Sequence, residues 1–129
     1  MQRNVRYDDL PAEVHASLGA SCEAATAAGV LPEYQAVDPG IGFGKSAQGS
    51  LQLLARLDEL AALGRPILVG ASRKSWLGRA FGHEGEDRLI GSLVAAAASV
   101  ERGASILRVH DVRPTRLAVD VAAGIVGAR

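Results

Sequence analysis

The sequence predicts an α/β fold with parallel strands and crossover helices. Three observations predict it. Short β-rich runs alternate with amphipathic helical stretches, glycines follow three of the helical stretches, and the element order reads α-β-α-β-α-β-α. A chain of 129 residues suits one compact domain, 1–129, and is too short for two.

Each element has its own reason. Residues 12–28 carry Val14, Leu18 and Ala25 at helical spacing, with Gly29 beyond the end. The run EYQAVD, 33–38, reads as a short strand closed by Pro39. Residues 46–63 put Leu53, Leu54, Leu57, Leu60 and Ala61 on one helical face, and Gly64 suits the position after a helix. PILVGAS, 66–72, is an apolar β-rich run. A polar loop follows, with Trp76 expected to pack at a helix start. Residues 86–102 read as a helix with a charged start, Asp87 and Arg88. Leu89, Leu93, Ala97 and Val100 should face inward, and Gly103 follows. SILRVH, 105–110, is the third strand. Thr115 to about Ile125 reads as the last helix, with Leu117, Val121 and Ile125 in register and Asp111 and Thr115 as its caps. Three strands make a small open sheet, whereas an eight-stranded barrel takes roughly 200 residues or more.

Composition narrows the function classes. Lys plus Arg and Asp plus Glu balance at 14 each, against the basic excess of nucleic-acid and membrane-surface proteins. Cys22 is the single cysteine, which excludes an intramolecular disulfide and a cysteine metal cluster and fits a reducing, cytoplasmic setting. No apolar stretch reaches the ~18 residues a membrane span takes, and MQRNVRYDDL lacks the apolar core of a secretory signal.

The charges at the strand ends are not explained by packing. Side chains at i and i+2 share a face of a strand. Arg108 and His110 therefore project together, opposite Leu107 and Val109. Ser72 and Lys74 share a side if the chain stays extended, and Asp38 falls on the side of Ala36. Each strand thus ends in polar groups at its carboxyl end, the edge where parallel α/β folds bind ligands. VDPGIGFGKS, 37–46, looks like a phosphate loop, but counting excludes both patterns. A Walker A loop needs glycine where Pro39 stands, and G-x-G-x-x-G needs glycine where Lys45 stands. Gly40, Gly42 and Gly44 then serve a sharp turn lying close to a flat ligand. His15 and His83 read as loop or surface histidines, Cys22 as a small buried residue, and Lys45 as facing solvent or a carboxylate. Arg73 should point away from Lys74 in an extended segment, or swing toward a ligand.

DPGIGFGK, VGASRKSWLG and LRVHDV, in this order and at these separations, resemble the last three strand-end motifs of dihydropteroate synthase. DRLIGSLVAAAASVERGA, between the last two, resembles that family's helix there. The resemblance runs across almost the whole chain. It implies part of a TIM (β/α)8 barrel, the last three βα units plus the preceding helix. It also implies a cytoplasmic, magnesium-assisted transferase of folate biosynthesis that joins p-aminobenzoate to a dihydropterin pyrophosphate, with no covalent enzyme intermediate. Carried onto this sequence, it assigns Asp38, Lys74 and Arg108 to the pterin, Ser72 and Phe43 to p-aminobenzoate, and Arg108 and His110 to pyrophosphate. A carboxylate such as Asp38 matches the paired N–H donors of an aminopyrimidine edge. The family's magnesium-binding asparagine and further pterin ligands lie in an N-terminal half with no counterpart here. MQRNVRYDD resembles the stretch after the fifth strand, so the chain reads as a carboxyl-terminal piece, with Met1 internal to a longer parent and little activity expected of it alone. No metal ligand is expected in this chain. Two alternatives stand beside this reading. One is the pterin domain of a corrinoid-linked methyltransferase, which needs neither Ser72 nor the Arg108–His110 pair. The other is a non-catalytic half-barrel that pairs with itself or another chain, since an open half-barrel exposes a sheet edge.

Overall fold

The computed structural model describes residues 6–129, so the first residues of MQRNVRYDD, Met1 included, lie outside it. Helix α1 spans Leu10–Ala27. Asp9 caps it, its side chain accepting from the Ala12 N–H, and Pro11 sits in the first turn, where no N–H is missed.

The expected strand at 33–38 shrinks to one residue. Pro32–Tyr34 forms a 3-10 turn instead, with Pro32 starting it. The Gln35 amide anchors it by donating to the Thr26 hydroxyl and the Val30 carbonyl. Only Val37 enters the sheet, as a parallel bridge to Ile67, before Pro39 ends the donor row.

The helix expected over 46–63 breaks. Helix α2 is Ala47–Ala55, capped by Ser46. Arg56 leaves helical geometry, and Leu57–Leu63 continues as 3-10 turns ending at Gly64 with φ 69°. At three residues per turn, i and i+3 lie on one side, which puts Leu57 and Leu60 together in the core at 1% and 4% exposure.

Strands β1, Ile67–Val69, and β2, Ala104–Leu107, pair in parallel with an irregular register between Ile67 and Leu68. With the Val37 bridge on the other side of β1, three parallel segments lie side by side in chain order. The last ladder bond runs from the Arg108 N–H to the Val69 carbonyl at 3.0 Å.

Helix α3, Trp76–Phe81, opens on Trp76, which is buried and donates its indole N–H to the Ala71 carbonyl at 3.1 Å. Helix α4, Asp87–Glu101, buries Ser92, Ala95, Ala96 and Ser99, while the expected inward row of Leu89, Leu93, Ala97 and Val100 is only half-buried. Small residues let neighbouring backbones approach, and Ser92 and Ser99 return their hydroxyls to the Arg88 and Ala95 carbonyls. Helix α5 is Val112–Gly127, with Pro114 in its first turn. Its buried face is Thr115 and Val119. Leu117, Val121 and Ile125, expected to face inward, are 55%, 64% and 64% exposed. Two residues of offset on a helix turn a stripe by about 200°, so the helix packs on α4 by the face its hydroxyl and one valine define. The larger apolar stripe has no partner among the described residues.

Candidate functional site

The strand-end residues converge in the structure. Gly70, Ser72, Lys74, Arg108, Val109 and His110 line one cavity of about 110 Å³ at the carboxyl ends of β1 and β2. Larger grooves exist, such as one of about 380 Å³ lined by Leu54, Trp76 and Val94 among others.

Ser72 and His110 meet across the strand ends. The Ser72 hydroxyl lies 2.9 Å from His110 Nδ1 and accepts from the His110 backbone N–H at 3.2 Å. With Ser72 Oγ accepting there, its own proton satisfies Nδ1 when the neutral ring carries hydrogen on Nε2. A carboxylate could reach this buried hydroxyl only by exchanging one of those bonds.

Ser72 and Lys74 share the cavity, though not for the expected reason. The segment is not extended: Arg73 adopts φ 52°, the left-handed region. That turn brings both neighbours to one side and sends Arg73 to Asp111. The guanidinium Nε and Nη2 donate to the two Asp111 carboxylate oxygens at 2.7 Å each. The pair holds the Asp111 carboxyl below the ordinary carboxylate value and the Arg73 guanidinium above its own, chiefly through the hydrogen bonds between them. A carboxyl lowered by folding adds stability above its ordinary value of 3.8, and that stability is lost as pH falls below it. Neither expected cap forms: Asp111 stands at the start of α5 but its side chain makes no capping bond, and Thr115, already inside the helix, donates its hydroxyl back to the Asp111 carbonyl at 2.7 Å.

A second group adjoins the first through Lys74. Its ammonium donates to the Ile41 carbonyl at 2.8 Å and sits 4.4 Å from the centre of the Phe43 ring. Asp38 is exposed, and one carboxylate oxygen accepts from the Gly40 N–H at 2.8 Å. Lys45 turns back onto the Phe43 carbonyl at 2.8 Å rather than out to solvent, with the Asp38 charge acting on it. Gly40 and Gly42 have φ 74° and 82°, as the turn requires. The space a Cβ would fill is taken by the chain's own lysines, Lys45 Nζ at 3.1 Å from Gly40 and Lys74 Cδ at 3.2 Å from Gly42. Burial lowers both lysines below the ordinary ammonium value, and Arg108 adds to the lowering at Lys74. Cations crowded this way favour an anion.

Arg108 lies flat over Gly70: a Cβ there would stand 2.9 Å from Nη2. Gly70→Ala is therefore expected to displace the guanidinium and weaken inorganic phosphate binding roughly tenfold, the loss of one charged hydrogen bond. The thermal midpoint should stay near wild type, because the crowded atom ends a flexible side chain; calorimetry and a melting curve check both.

His83 lies in a loop, as expected. It is half-buried with Nδ1 enclosed and unpaired, Cys22 is half-buried against the core, and Trp76 packs as expected. Alternation along the strand does not show the Arg73–Asp111 pair. Its signal is present in retrospect: Arg73 follows Ser72 and Asp111 follows His110, so the two strand ends pair residue for residue. No group of three His, Cys, Asp or Glu among the described residues is placed to hold a metal.

Comparison with known proteins bears on this geometry. Residues 1–110 match the family described as pterin binding enzyme. The chain is 45% identical over 125 residues to the dihydropteroate synthase of Neisseria meningitidis serogroup B, covering 94% of this chain and 44% of that protein. It is 40% identical over 129 residues to that of Escherichia coli K12, covering 46% of it. Among solved structures, Yersinia pestis dihydropteroate synthase in a sulfonamide drug complex superposes with TM-score 0.94 at 38% identity, over 99% of this chain and 47% of that one. The Xanthomonas albilineans dihydropteroate synthase in complex with 7,8-dihydropteroate gives 0.91 at 43% identity, over 97% and 48%. The chain thus spans about half the length of the relatives it matches.

Proposed function

The chain belongs to the pterin binding enzyme family, and from that membership we propose that it carries the strand-end part of a dihydropteroate synthase site. The reaction condenses p-aminobenzoate with 6-hydroxymethyl-dihydropterin pyrophosphate to dihydropteroate and pyrophosphate. The observation that carries the reading is the convergence of Ser72, Lys74, Arg108 and His110 on one small cavity beside Asp38.

In this reading Val37, β1 and β2 are three consecutive strands of a (β/α)8 barrel, and residues 1–129 are the carboxyl-terminal part of one pterin-binding domain. The parallel, chain-order neighbours support it. Asp38 accepts the paired N–H groups of the aminopyrimidine edge with the lone pairs Gly40 leaves free. Lys74 donates to the ring carbonyl and ring nitrogen, and Arg108 lies against the ring and the pyrophosphate. His110 joins Arg108 on the leaving group. The C–O bond at the pterin methylene breaks with its electron pair going to pyrophosphate, whose growing charge the Arg108 guanidinium and the His110 ring N–H stabilise. The aniline nitrogen then bonds to the methylene carbon and loses a proton. Phe43 borders the benzoate ring, and Ser72 meets the carboxylate by exchanging a bond with His110. The enzyme's share is orientation and charge, without a covalent intermediate.

Magnesium does not fit the residues present. Asp38 faces the charges of Lys45 and Lys74, and Arg108 lies close enough to act on Lys74, a field that repels a divalent cation. Any protein ligand for the ion would come from outside these residues. No helix among the described residues is long and apolar enough to cross a membrane, and the lone Cys22 thiol suits the cytoplasm. The exposed Leu117, Val121 and Ile125 stripe favours pairing with a second copy of the chain.

Titration of pyrophosphate into the chain tests the site. Arg108→Ala and His110→Ala are each expected to weaken binding by roughly 10- to 100-fold, one charged hydrogen bond apiece. Unchanged affinity in both variants removes the proposed pair.

A further inference from the structure

We propose that Arg73 and Asp111 are positioning residues whose ion pair holds His110 against Ser72 and so sets the geometry of the anion cavity.

The need for such a clamp lies in the sheet. The Arg108 N–H to Val69 carbonyl bond is the last ladder bond between these strands. Past it, the His110 N–H turns to the Ser72 side chain, at 3.2 Å, and not to a backbone carbonyl. The spacing of the two strand ends at the cavity therefore rests on side chains. There are two cross-links, in register: Ser72 with His110, then Arg73 with Asp111. The second is bidentate, the geometry that fixes direction as well as distance.

Arg73 is itself held in a conformation arginine rarely adopts. It is the only non-glycine residue with positive φ among those described, at 52°. Its N–H donates to the Ser92 hydroxyl at 2.7 Å, and its carbonyl accepts from Arg88 Nη1 at 3.3 Å. Local backbone strain persists where surrounding contacts over-determine it. Here those contacts come from α4 behind and Asp111 in front. The turn they enforce is what puts Ser72 and Lys74 on one cavity. Neither Arg73 nor Asp111 lines that cavity. The consequence for pyrophosphate rests on the function proposed above; the clamp itself does not.

Sign separates positioning from simple charge. Inorganic pyrophosphate is titrated by calorimetry into the 129-residue chain as wild type, Arg73→Ala, Asp111→Asn and the double variant. The His110 ring is followed by 15N NMR. Charge alone makes Asp111→Asn bind pyrophosphate more tightly, since a nearby negative charge is gone. The clamp makes Kd rise about tenfold in each single variant, with the double variant no weaker than either, because both changes break one unit. The His110 ring signals should move in all three toward those of a freely exchanging imidazole. Tighter binding by Asp111→Asn, or unchanged ring signals, overturns the proposal. If alanine at 73 prevents folding, Arg73→Lys and Asp111→Glu replace it; wild-type Kd and ring signals in both overturn the clamp, and an intermediate rise of about threefold supports it. If wild type binds no pyrophosphate, the anion reading falls and the ring signals alone decide.

Discussion

Supplied with magnesium, dihydropterin pyrophosphate and p-aminobenzoate, the 129-residue chain on its own is expected to form dihydropteroate roughly 10³- to 10⁶-fold more slowly than a full-length relative. The range follows from about three ligand groups that the resemblance to dihydropteroate synthase assigns to the other half, each a charged or buried hydrogen bond of about 1.5–3 kcal/mol in the transition state. The proposed site supports this size of loss. In the proposed function Asp38, Lys74, Arg108 and His110 address one side of the substrates, and the chain spans less than half of each relative described. Adding a separately produced segment covering the remaining half of a relative should raise the rate by at least tenfold if the halves assemble. The product is read by chromatography of labelled p-aminobenzoate. Turnover by the chain alone at a relative's rate sinks the claim that the site is shared with residues outside it.

Trp76→Ala is expected to cost about 3–5 kcal/mol of folding stability, the usual result of deleting a buried indole. For a single small domain with roughly 5–15 kcal/mol in total, that is a large share. Trp76 is 4% exposed, packs edge-on against Phe81, and ties its N–H to the Ala71 carbonyl just before Ser72. The loss should therefore reach the site as well as the core. Trp76→Phe keeps most of the volume and gives up the hydrogen bond, so a cost nearer 1–2 kcal/mol is expected of it. Urea melts followed by circular dichroism compare the three. A Trp76→Ala midpoint indistinguishable from wild type refutes the packing role.

Sequence reading succeeded where a signal was local and repeated. The strand within 66–72, shortened to Ile67–Val69, the first, third and last of the expected helices, and the polar strand ends follow from short periodic patterns, and Ser72, Lys74, Arg108 and His110 do line one cavity. It failed where tertiary contacts outvoted the pattern. Leu117, Val121 and Ile125 form the better apolar stripe of α5, yet Thr115 and Val119 are the residues α5 buries. Leu89 and Leu93 lost the inner face of α4 to Ser92, Ala95 and Ser99, because close helix packing selects size over hydropathy. EYQAVD has β-forming residues, but Pro32 and the Gln35 anchor curl it first. At the site, alternation along an extended chain predicted that Ser72 and Lys74 share a side. They do so through a left-handed turn that no periodicity encodes, and the Arg73–Asp111 pair it creates was legible only as a matched phase of two motifs.

The bond from Lys74 to the Ile41 carbonyl bears on how this surface chooses among acceptors. An ammonium carries three N–H groups, and one of them is held by this peptide oxygen. Two remain for a ligand, and the Ile41 bond limits the directions in which they can point. A single acceptor uses only one of the two. A pair of neighbouring acceptors on the open side of the nitrogen uses both. The loop therefore selects by the number and spacing of the acceptors it meets.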